Sequence, residues 1–179
     1  MTIQIQGIEQ DVTPDASLTV KGKVELATAV ETTTGTDATR AVTPDGLAGS
    51  DFGKRIYVIG VIEAATALTT GDGKAYRTIP QEFNGMNLVA AHAAVYTVAT
   101  GETLIAIQIR NVTDSVDMLS TKITLDASEF NSYTAATPPV IDTALDDVAT
   151  GDRIAVDIDA IGNTTSGNGL DVILTFQLP

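Results

Sequence analysis

The chain has 179 residues, 44% of them hydrophobic, with no Cys, no Trp and a single His. Its formal charge is −13 and no stretch is rich in Lys or Arg, which excludes a surface for nucleic-acid phosphates. Without cysteine there is no disulfide framework, thiol nucleophile or Cys-based zinc site.

The length suits one large domain, or one domain with an extension. Val, Ile, Leu and Ala must form the core, and abundant Thr with 15 Gly favours strands and turns, so the expected class is all-β. The opening Met1-Thr2-Ile3-Gln4-Ile5 lacks a basic segment followed by an apolar one, so no secretion signal is expected. The longest apolar run, residues 56–62, falls far short of the ~20 residues that cross a bilayer. A soluble protein made in the cytoplasm, with no membrane insertion, is the expectation.

In chain order, residues 2–6 predict a short strand, Thr13-Pro14-Asp15 a turn and residues 21–26 another short strand. Residues 28–46 are dominated by Thr, Ala, Gly and Asp and hold too few large apolar side chains for a core of their own. They are read as a linker, or as a segment that packs against copies of itself. Residues 56–62 form a β-branched run consistent with a strand buried on both faces. Thr70-Gly71-Asp72-Gly73 predicts a turn before a strand at 75–79. Residues 88–98 weigh towards strand, with a helix over 86–94 as the minor alternative.

Two later segments alternate cleanly. Ile105, Ile107 and Ile109 share one face, with Ala106, Gln108 and Arg110 on the other. Ile154, Val156 and Ile158 face inward, with Arg153, Asp157 and Asp159 outward. Such alternation marks strands with one buried face. Residues 123–125 and 171–178 add two more strands. Thr97-Val98-Ala99-Thr100-Gly101-Glu102 and Asp147-Val148-Ala149-Thr150-Gly151-Asp152 each precede an alternating strand. Repeated corners of this kind suit an antiparallel β-sandwich of the jelly-roll kind over residues 56–179.

Chemistry-bearing motifs are few. His92 stands among alanines without the partners that a triad or a histidine metal site needs, and reads as a packed histidine. Gly71-Asp72-Gly73-Lys74 fails the phosphate-loop pattern because Ala75 follows the lysine, and reads as a hairpin turn. Asp142, Asp146, Asp147, Asp152, Asp157 and Asp159 cluster in the last third, but without calcium-loop spacing. Asn111-Val112-Thr113 and Asn163-Thr164-Thr165 match the glycosylation acceptor pattern incidentally. Pro138-Pro139 reads as extended loop. No catalytic, cofactor-binding or metal residue is nominated, and no cofactor is expected.

The informative stretch is residues 21–47. It contains Gly22-Lys23-Val24-Glu25-Leu26-Ala27-Thr28, then Glu31 and Gly35-Thr36-Asp37, then Arg40-Ala41-Val42-Thr43-Pro44 and Leu47. In that order and spacing the blocks closely resemble the short repeat of bacteriophage tail fibres, present here once. The resemblance implies a virion appendage and an elongated homotrimer. Small Thr, Ala and Gly side chains permit three chains to approach an axis, and Thr hydroxyls can meet otherwise unpaired backbone groups.

The expected organisation is therefore an attachment segment at 1–20, a fibre-repeat stalk at 21–55 and a β-sandwich head at 56–179. Its expected partners are its own copies, capsid or tail proteins through residues 1–20, and a host-surface glycan held by many weak contacts. Two alternatives stand beside this non-enzymatic reading: a capsid cement subunit, and a depolymerase of host polysaccharide. The last needs a placed carboxylate pair and aromatic platforms, which are scarce with no Trp and four Tyr.

Overall fold

A computed structural model describes residues 15–17 and 22–179. The strand expected at 2–6 and most of the attachment segment at 1–20 lie outside the described residues. The chain divides into two units, one reaching Phe52 and one spanning Gly53–Pro179.

The first unit is built around the fibre-like motif. Strand β1 (Leu26–Ala27) lies parallel to β2 (Ala41–Val42), in the register Leu26↔Ala41 and Ala27↔Val42. Two short helices, α1 (Ala29–Thr34) and α2 (Pro44–Ala48), follow the two strands. The short strand expected over 21–26 is reduced to β1 and a bridge between Asp15 and Lys23. Composition suggested a linker, or a segment packing against its own copies, over 28–46, and the segment makes two short helices with capped starts. The reason is local: each helix begins at a Thr whose side chain accepts a backbone N–H, which outweighs the modest helix propensity of Thr and Gly.

The second unit is almost all strand. In order it contains β3 (Arg55–Ala67), β4 (Gly71–Thr78), β5 (Met86–Ala94), β6 (Ile105–Asn111), β7 (Val116–Asp117), β8 (Leu119–Thr121) and β9 (Ile123–Leu125). It continues with β10 (Val140–Ile141), β11 (Asp147–Val148), β12 (Arg153–Ala160) and β13 (Asn168–Gln177). One sheet has the order β11-β5-β13-β3; the other runs β4-β12-β6-β7, with β9 also paired to β6. A small pair joins β10 to β8. All of the pairings in this unit are antiparallel. The expectation of an all-β protein is met, and residues 86–94 form a strand.

Both sheets supply one hydrophobic core. Ile105, Ile107 and Ile109 from β6 and Ile154, Val156 and Ile158 from β12 are essentially inaccessible, as their alternation predicts. They join Leu170, Val172, Leu174 and Phe176 of β13 and Leu88 of β5 in the same cluster. Phe83 bridges to Phe176 edge-on at 5.4 Å and to Tyr57 at 5.5 Å, the offset geometry that aromatic quadrupoles favour.

Three expectations are corrected. Residues 56–62 are not buried on both faces: Ile59 is buried, whereas Ile56 and Val58 are exposed. β3 is an edge strand whose outer face nothing in the described residues covers. Asp157, placed on the outward face, is nevertheless buried, because Arg110 lies over it and the Gly73 amide bonds to it. Gly71-Asp72-Gly73-Lys74 is no hairpin turn: these residues lie within β4, and the chain crosses from the sheet of β3 to that of β4 just before them, over residues 68–70. Gly71 and Gly73 have φ of 141° and 62°, which allows β4 to start with a sharp change of direction.

The repeated Thr-Gly corners both materialise. Gly101 and Gly151 have φ of 114° and 93°, and each stands just before the alternating strand that follows it. Among the described residues no helix is long and apolar enough to cross a membrane.

Candidate functional site

In the first unit the motif residues structure one another. Thr28 and Glu31 form a capping box: the Glu31 amide donates to Thr28 Oγ1 at 3.3 Å, and the Thr28 amide to Glu31 Oε2 at 3.0 Å. Gly35 ends α1 in the left-handed region at φ 65°, its amide donating to the Glu31 carbonyl at 3.0 Å. Asp37 accepts from the Thr39 amide at 2.7 Å and from its hydroxyl at 2.6 Å, and that hydroxyl bond holds its carboxyl below the ordinary value. Arg40 gathers Glu25 at 3.3 Å, Asp37 at 3.6 Å and Glu31. Thr43 caps α2, and Pro44 occupies its first turn, where a missing N–H costs nothing. Gly46 packs under the Ala27 carbonyl, which an added Cβ would approach to 3.0 Å.

What this unit leaves outside is as informative. Among its described residues Thr32, Gly46 and Ser50 are buried, whereas Val24, Leu26, Val30, Val42, Leu47 and Phe52 are exposed.

In the second unit the acids are spread over separate structural tasks. Asp157 takes Arg110 Nε at 2.9 Å, Asp159 meets Lys122 at 3.0 Å, and Asp142 accepts the Ala144 amide at 3.1 Å. Asp152 accepts the Ala149 amide at 2.8 Å and the Asn111 side chain at 3.1 Å. Burial pushes the Asp146 carboxyl above its ordinary value, with Asp147 and Asp142 adding repulsion. Among the described residues no group of three or more His, Asp or Glu is placed to hold a metal. Asn111 is buried, with its amide nitrogen donating to Asp114 and Asp152, so it is closed to glycosylation. The Asn163 carbonyl oxygen accepts the Glu102 amide at 2.9 Å.

His92 lies on β5, half-buried, with its ring stacked on Tyr133 at 4.2 Å and Ser132 Oγ at 3.5 Å from Nδ1. Burial pushes its pKa down, so the ring is neutral at neutral pH. A packed histidine is what the sequence predicted. The apolar surface beside it was missed, because Ile56 and Val58 were assigned to the core. No local signal in the run separates the face that packs from the one that does not, because apolar residues occupy both.

A shallow cleft of about 290 Å³ opens beside residues 60–64, in the middle of β3, with Arg77, Tyr96 and Asp171 on its walls. Tyr96 Oη donates to Asp171 Oδ2 at 2.9 Å, and this bond raises the phenol pKa, helped by the charges of Asp171 and Glu63. Arg77 spends Nη1 on the Tyr76 carbonyl at 2.8 Å and reaches the Gly60 carbonyl through Nη2 at 3.3 Å. The exposed Tyr96 ring beside two carboxylates can stack on a hydroxyl-rich ligand whose hydroxyls the carboxylates would accept.

No family model, curated protein or solved structure matches this chain.

Proposed function

We propose that this chain is a structural subunit of a bacteriophage particle, a short homotrimeric fibre or decoration appendage without enzymatic activity. The observation that carries the reading is the motif at 21–47 together with the way it folds. Its specifying residues cap, clamp and turn the chain, and they leave Leu26, Val30, Val42, Leu47 and Phe52 facing outward. Three copies brought together would bury those side chains, each worth roughly 1.5–3 kcal/mol when fully covered. One copy alone does not repay the ordering cost of roughly 1–2 kcal/mol per residue.

In this reading the first unit belongs to a trimeric stalk and the second is a jelly-roll-like sandwich head. Successive strands β3, β4, β5 and β6, and later β11, β12 and β13, alternate between the two sheets, which is how paired Greek keys are wound. Residues 1–20 attach the subunit to capsid or tail proteins, and the protein resides in the virion. A host-surface glycan is a further partner, held weakly at the Tyr96–Asp171 cleft and strengthened by the number of copies.

Two measurements test this. Native mass of the full chain should correspond to three copies; a monomer at every concentration overturns the stalk. Removing residues 1–20 should release the protein from particles while leaving its mass in solution trimeric. Full occupancy by the truncated protein would place attachment elsewhere and favour the cement alternative.

A further inference from the structure

The two sheets of the second unit present different outer faces. The outer face of the five-stranded sheet carries charged pairs, Arg110 with Asp157 and Lys122 beside it with Asp159, among uncharged residues such as Tyr76. The outer face of the other sheet carries an array with no charge in it. On β13, Ile173 stands between Val58 of β3 and His92 of β5, and Thr175 between Ile56 and Ala90. Tyr133 extends the array by stacking on His92. Ile56, Val58 and Tyr133 are 66%, 57% and 62% exposed. The first charge along β13 is Asp171, one row further on and tied to Tyr96.

We infer that this face is a second surface through which copies of the chain meet. Charge argues for a copy over a different partner. Each chain carries −13, so two copies can come together only where acids are absent, and these two rows meet that need. A partner of opposite charge would gain more on the acidic remainder of the surface. Area agrees: the open side chains of Ile56, Val58 and Tyr133, with the half-covered Ile173 and His92, offer on the order of 400–500 Å². With a polar rim this approaches the ~800 Å² that each partner contributes to a standard interface. The inference rests on the reading that copies associate, and adds a contact in the second unit to the one assigned to the first.

The chain contains no cysteine, so single cysteines report cleanly. Val58→Cys and Tyr76→Cys, one on each outer face, are to be labelled with a maleimide in the purified full chain across a dilution series. In the assembled protein Val58→Cys should react about tenfold more slowly than Tyr76→Cys, and the difference should vanish on dilution to monomer. Val58→Asp, at an exposed position that tolerates a polar side chain, should weaken association about tenfold or more. If copies assemble while Val58→Cys reacts as fast as Tyr76→Cys, this inference fails and the stalk reading stands. If the chain never associates, both fail. Protection that persists at every dilution means the face is covered from within the chain, and labelling blocked only on intact particles means a shell protein covers it; each overturns the inference.

Discussion

Asp157 illustrates why single residues in this molecule resist reading from sequence. It sits in an alternating strand at a position that faces away from the core, yet its carboxylate receives Arg110 and the Gly73 amide from the two neighbouring strands. Arg110 is 47 residues away and Gly73 is 84 residues away, so no local pattern could announce the network. Removing one member of a buried ion pair costs roughly 3–5 kcal/mol, and the Arg110 side chain here is partly exposed. Asp157→Ala should therefore lower unfolding stability by about 2 kcal/mol in urea titrations, and Asp159→Ala, on a surface pair, by under ~1 kcal/mol. His92 gives a pH prediction with a definite sign. Its burial favours the neutral ring, so its folded pKa lies below the ordinary 6.5. As pH falls through that ordinary value the unfolded chain takes up the proton first, and the fold loses stability until the folded value is passed. His92→Phe keeps a ring against Tyr133 but has no proton to gain. Between about pH 7 and about pH 5 the native protein should lose stability relative to this variant in parallel urea titrations. An unchanged gap means that the ring is solvated enough not to matter.

At the level of elements, periodicity was a good guide where one side of a strand meets the core. β6 and β12 were legible because Ile105, Ile107 and Ile109, and Ile154, Val156 and Ile158, repeat every second residue and the hydrophobic core lies on one side only. β3 was misread because an unbroken apolar run carries no information about which face is covered. The helices α1 and α2 were missed for a different reason: composition outweighed the capping signals. Thr28 with Glu31 three residues later, and Thr43 before Pro44, are helix-start patterns visible in the sequence alone. The caps make α1 testable. Thr28→Ala removes the side-chain acceptor at its start, and an N-cap of this kind is worth about 1 kcal/mol. Amide exchange over residues 29–35 should quicken about fivefold while that of β6 and β12 stays unchanged. If exchange spreads to the second unit, the helix is not an independent element.

For the whole molecule, the class was legible and the topology was not, because strand order depends on pairings between distant segments. Net charge has a consequence at this scale. A trimer would carry 3 × −13, or −39, and repulsion on that scale is screened by salt. If apolar faces bring the copies together, raising salt from about 0.05 M to about 0.5 M should tighten association, as read by sedimentation. Weakening with salt would show instead that ion pairs hold the copies.

The central place of β13 has a further consequence for how the protein is made. β3, the first strand of the second unit, has β13 as its sheet neighbour, and β5 pairs along its length with the same strand. During synthesis both must therefore wait, with Ile59 and Leu88 uncovered, until residues 168–177 have left the ribosome. Among the described residues of the first unit, β1 and β2 pair over a short separation in sequence. The segments that pair in the first unit are thus all made early, ready to order when copies meet as proposed, and the core of the second unit closes last. Long-range pairing of this kind folds slowly and leaves sticky intermediates open to neighbours. If copies associate as proposed, nascent chains growing side by side on one message would meet through their early segments before the second unit of any has closed.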